Sequence, residues 1–83
     1  MSTKLFVGSL PWSVSDEKLK ATFEKHGTVL SAKIITDRET SRSRGFGFVE
    51  MENSSDASNA IKALNETEID GRSIVVNEAK ARN

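Results

Sequence analysis

Three phenylalanines carry the chemistry that this sequence can offer. Residues 44–51 read Arg-Gly-Phe-Gly-Phe-Val-Glu-Met, and strand alternation divides them between two faces. Gly45, Gly47, Val49 and Met51 fall on one side and suit a core. Arg44, Phe46, Phe48 and Glu50 fall on the other, so both rings lie beside a guanidinium and a carboxylate. A strand built only for burial would not set charge next to its largest apolar groups. Exposed rings with a cation alongside make a stacking platform, and single-stranded nucleic acid supplies the complements, base faces and phosphates. Residues 4–10 repeat the arrangement, with Leu5 and Val7 on one face and Lys4, Phe6 and Gly8 on the other. Paired as neighbours, the two strands would gather Phe6, Phe46 and Phe48 into one cluster. The chain has 4 Phe and 1 Trp in all, so three rings on one face is placement rather than an accident of composition.

The elements that must hold these strands are also legible. Ser15-Asp16-Glu17 opens a helix, with Ser15 as cap and two acids facing the helix dipole. Leu19 and Phe23 form its buried stripe, and Gly27 is its stop. Residues 29–36 read as a strand with Ala32 and Ile34 inward, which places Lys33 and Ile35 on the phenylalanine face. Residues 37–43 are a polar connection carrying Arg38 and Arg42. Ser54-Ser55-Asp56 starts a second helix, whose Ala57, Ala60, Ile61 and Leu64 recur at helical spacing, and Asn65 ends it. Asp70-Gly71 is a turn signal, and residues 73–77 make a last strand with Ile74 and Val76 inward, Val75 and Asn77 outward. Both helices must cover the aliphatic face, which leaves the phenylalanine face open.

The two ring-bearing segments resemble the long and short ribonucleoprotein motifs of the RNA recognition motif family. Residues 44–51 fit the long pattern except at Met51, and residues 5–10 fit the short one except that Ser9 stands for Asn. The likeness runs over about residues 4–80 and is strongest to small single-domain bacterial members and to chloroplast and glycine-rich plant members. The segments Leu10-Pro11-Trp12 and Asp37-Arg38-Glu39-Thr40 carry the likeness to this subgroup. The order strand-helix-strand-strand-helix-strand is the ferredoxin-like βαββαβ pattern, an α+β sandwich with a four-stranded antiparallel sheet and two helices on one face. The resemblance implies single-stranded RNA as partner, single-stranded DNA as a second ligand, and a monomer without cofactor or metal. It implies RNA contacts from Phe6, Phe46 and Phe48 by stacking, and from Arg44, Lys4, Lys33, Arg38 and Arg42 by charge. Val75, Asn77 and Lys80 follow the family's use of the last strand and its tail. Ser41 and Glu66 stand where glycines are common, so the turns there should differ.

Composition sets the bounds. At 83 residues the chain is one domain, spanning residues 1–83. It has no cysteine, which excludes disulfides and thiol chemistry and suits a reducing compartment; the expectation is the bacterial cytoplasm, with an organelle or the nucleus as alternatives. No apolar run reaches membrane-spanning length. Lys and Arg number 12 and Asp and Glu 12, so attraction to phosphate must be local and its salt dependence shallow.

Rival readings weigh less. A protein-interaction module on the same fold is the second function, though the aromatic motifs are intact. An enzyme would need groups the chain does not place: His26 is the only histidine, at a helix end, and Gly45 and Gly47 lack the third glycine of a nucleotide loop. Close approach of a helix backbone explains these glycines better. Trp12 is expected to pack as filler on a helix end, with an extension of the stacking surface as the alternative.

Overall fold

The computed structural model describes residues 2–40 and 43–79, without the side chains of residues 43 and 44. Six strands and two helices follow in the order β1 (Thr3–Gly8), α1 (Asp16–Glu24), β2 (Val29–Thr36), β3 (Ser43–Met51), α2 (Ser54–Leu64), β4 (Glu68–Ile69), β5 (Arg72–Ser73) and β6 (Val75–Glu78). The main sheet has the order β2-β3-β1-β6 and all its pairings are antiparallel. The α+β ferredoxin-like sandwich expected from the sequence is the fold observed.

Both helices form for the reasons the sequence offers. The Ser15 side chain accepts a hydrogen bond from the Lys18 N–H at 3.2 Å, closing the first turn of α1. Asp16 accepts from the Ile34 N–H at 2.6 Å, which ties that turn to β2. Leu19 and Phe23 are fully buried, as are Ala57 and Ala60 of α2, with Ile61 and Leu64 half-buried beside them. Against these stripes lie Leu5, Val7, Val49, Met51, Ile74 and Val76, each 0% exposed. Asn65 ends α2, and its side-chain oxygen accepts from the Val76 N–H at 3.0 Å. One tight bond thus fixes the helix end to the last strand.

Two expectations change, and two irregularities enter the main sheet. The last strand of the sheet begins at Val75, and Ser73 instead belongs to a separate hairpin of β4 and β5. Its turn residues Asp70 and Gly71 have φ of 50° and 85°, the left-handed pair that a two-residue hairpin needs. On β2, Val29 opposes Met51 and Ser31 opposes Glu50, so Leu30 is an extra residue; Val29 turns inward and Leu30 is left 51% exposed. The strict alternation of β3 also breaks. Ile34 opposes Gly47 but Thr36 opposes Ser43, and Gly45 between them has φ +86°. The rule that put Arg44 on the ring face therefore does not run unbroken to that residue. Gly47 is explained by a strand rather than a helix: a β-carbon there would come within 2.5 Å of the Lys33 carbonyl oxygen on β2.

Candidate nucleic-acid interface

The register of the sheet places the rings together. Phe6 on β1 lies opposite Phe48 on β3, and Gly8 opposite Phe46. Both helices pack on the other face, so the three half-buried rings stand on the side that the helices leave bare. Phe6 and Phe46 have centroids 5.8 Å apart and planes 30° apart, so they offer two nearly parallel surfaces. Phe48 stands edge-on to both, 5.8 Å from Phe6 at 67° and 6.2 Å from Phe46 at 88°. Such offset and edge contacts stabilise an aromatic group beyond the area it buries. The cluster is therefore held in shape before any ligand arrives.

Gly8 is what lets Phe6 lie flat. A β-carbon on Gly8 would meet Phe6 Cε2 at 2.9 Å and Cζ at 3.2 Å. The signal for this is present in the sequence, since residues two apart on a strand share a face, as Phe6 and Gly8 do. The ring thus lies over the glycine next along its own strand.

Charged and polar groups ring the cluster. Lys4 Nζ sits 5.9 Å from the Phe48 centroid, within cation–π range. Glu50, opposite Lys4, accepts a hydrogen bond from the Ser2 hydroxyl at 2.8 Å. Lys33 opposes Phe48 from β2 and is exposed. On the far side Asn77 opposes Phe6 and Val75 opposes Gly8; both are exposed. Arg38 is exposed in the turn after β2, where Asp37 accepts from the N–H groups of Glu39 and Thr40 at 2.8 and 3.2 Å. Arg42 and Lys80 lie outside the described residues, as does the Arg44 side chain. Lys4, Phe6, Lys33, Phe46, Phe48, Val75 and Asn77 thus share one surface, while Arg38 stands at its end.

Trp12 departs from expectation. It is 71% exposed rather than packed as filler, because Leu10 and Val14 on either side of it already occupy the core. An open cleft of about 660 Å³ adjoins the Phe48 ring and is lined by Thr3, Lys4, Glu50, Glu78 and Ala79 among others. Among the described residues no group of His, Cys, Asp and Glu could hold a metal ion, and no helix is long and apolar enough to cross a membrane.

The model of the RNA recognition motif matches residues 5–75. The glycine-rich RNA-binding protein blt801 of Hordeum vulgare is 51% identical over 79 residues, covering 95% of this chain and 49% of that protein. A chloroplastic 28 kDa ribonucleoprotein of Spinacia oleracea is 48% identical over 81 residues, covering 98% of this chain and 35% of that protein. The chain thus spans half or less of the length of these relatives. Among solved structures, RNA binding protein PG1 superposes with a TM-score of 0.92 at 48% identity, covering 98% of each chain. A Sxl-lethal protein/RNA complex superposes with a TM-score of 0.87 at 34% identity, covering 93% of this chain and 47% of that one. These relatives match the likeness to chloroplast and glycine-rich plant proteins and lend the bacterial cytoplasm no support. With the family's two aromatic motifs adjacent on one sheet, the chain belongs to the RNA recognition motif family.

Proposed function

We propose that this domain binds single-stranded RNA on its open sheet face by stacking bases on Phe6, Phe46 and Phe48, without chemistry. The observation that carries the reading is the ring cluster on the face opposite the helices. Family membership supports it, as do relatives whose names describe RNA binding. The near-parallel pair Phe6 and Phe46 suits two successive bases, while a base on Phe46 meets Phe48 edge-on. Lys4, Lys33, Arg38, Arg42 and Arg44 supply charge for phosphates; Val75, Asn77 and Lys80 supply contacts from the last strand and its tail. The surface takes about two to four nucleotides. Single-stranded DNA offers the same base faces and is the expected weaker competitor. The protein acts as a monomer in this reading. Intact rings weigh against a pure protein-interaction role.

The test is the double variant Phe46→Ala, Phe48→Ala. Each lost stack weakens RNA binding by about 1–3 kcal/mol. The thermal transition should stay close to that of the parent, because neither ring belongs to the buried core. Unchanged RNA affinity in a folded double variant refutes the stacking role.

A further inference from the structure

Trp12 is the large aromatic residue that the proposed site leaves unused, and its place relative to the rings gives it a role. Residues cross the sheet in rows. Lys33, Phe48, Phe6 and Asn77 make one row, and Phe46, Gly8 and Val75 make the next. Beyond that row the Leu10 N–H donates to the Gly45 carbonyl at 2.8 Å. The loop then reaches β2, since Trp12 shares an open groove of about 330 Å³ with Asp16, Ile34 and Thr36. The indole therefore stands past the Phe46 end of the sheet, in a groove whose Val14, Asp16 and Ile34 belong to its helix side, and residues 37–40 leave the same end of β2 with exposed Arg38.

The surroundings select the occupant. Ser13, Ser15, Asp16 and Thr36 border the same groove. Ser13, Ser15 and Asp16 each hold a hydrogen bond within the fold, and an apolar protein patch seated there would strip water from the lone pairs that remain. A flat base covers one indole face and leaves the polar rim wet. Asp16 repels phosphate, which directs the backbone of such a strand towards Arg38 instead. We propose that Trp12 is a fourth stacking station, taking the base of a nucleotide that leaves the sheet beyond Phe46. This rests on the reading of the sheet face as an RNA site and extends the length of strand that site holds.

The chain contains 1 Trp and no Tyr, so its intrinsic emission reports this indole alone. Unlabelled RNA oligomers of increasing length are titrated while emission is followed, and labelled oligomers of the same lengths are followed in parallel by anisotropy. Short oligomers should bind with little change in emission, and longer ones should quench it. Trp12→Ala should weaken the long oligomers by about 5- to 100-fold and leave the short ones unchanged, with Trp12→Phe restoring most of the loss. The emission measurement needs no variant, so it stands even if Trp12→Ala folds poorly. RNA that binds by anisotropy at every length with constant emission overturns the inference and spares the sheet site. So does an alanine variant that holds long RNA as tightly as the parent. Emission that shifts with protein concentration alone, without RNA, assigns the indole to self-association and also overturns it. Absence of anisotropy change at all lengths removes both readings together.

Discussion

Phe23 and Phe46 show how one residue type serves two purposes. Phe23 is 0% exposed and is the largest fully buried side chain, so truncating it would leave a void in the core. Phe46 is half-buried on the opposite face, where truncation removes a surface of the proposed RNA site. Gly8 links the ring face to the backbone. Gly8→Ala would push the far end of Phe6 out of its near-parallel arrangement with Phe46, since the added carbon meets only that ring. The expected outcome is RNA affinity reduced by about 1 kcal/mol, within the value of one stack, with a nearly unchanged melting temperature. Glu66 offers the reverse case, a stability effect without a binding effect. It holds φ at 65°, a left-handed conformation that L side chains resist, and its N–H donates to the Ile74 carbonyl at 2.8 Å. Glu66→Gly should raise stability by about 0.5–1 kcal/mol, read as a higher urea midpoint, because glycine adopts that conformation without strain. The ring positions were legible because period-two alternation holds from Phe46 to Met51. Ahead of them Gly45 interrupts the count with a positive φ that a glycine in a strand only hints at.

The short hairpin is the element that the sequence conceals. Asp70-Gly71 announced a turn, but β4 and β5 have two residues each and no periodicity to read. Its attachment explains why it is there. Asp70 accepts from Lys18 Nζ at 2.8 and 2.9 Å and from the Ser13 hydroxyl at 2.9 Å, joining the hairpin to the loop after β1 and to α1. The hydrogen bond from Lys18 first, and that from Ser13 next, hold the Asp70 carboxyl below its usual value. A carboxyl acidified by folding contributes stability that is complete above the unfolded value near about 3.9 and is lost as pH falls through the lower folded value. Denaturant midpoints measured below about pH 4 should therefore fall less steeply in Asp70→Asn than in the parent. Parent-like steepness in that variant would remove Asp70 from the acid response. The bulge on β2 was hidden for another reason. Val29 and Leu30 are both large and apolar, so the pattern alone cannot say which one turns inward, and the packing chose Val29.

At the level of the molecule, two layers divide the work. The helices and aliphatic chains supply cohesion, and the bare face is the surface proposed for recognition. This division was readable because the stripes of both helices and the alternation of three strands demand the same inside. The net charge of zero leaves attraction to a polyanion to a few local cations. With about three phosphates neutralised on a single strand, the logarithm of the association constant should fall with that of salt at a slope of about −2. A slope several times steeper would mean that charge rather than stacking dominates. Affinity in moderate salt is expected to be about micromolar, after the cost of ordering the strand. Compartment was not legible, because lack of cysteine restricts redox surroundings without naming an organelle. The bond from Ile34 to Asp16 has a further consequence for the molecule among its own copies. β2 borders the sheet, and an outward N–H there is where a second extended chain would attach. By occupying that donor, an acid in the first turn of α1 also closes one attachment point for strand addition along the rim of the sheet.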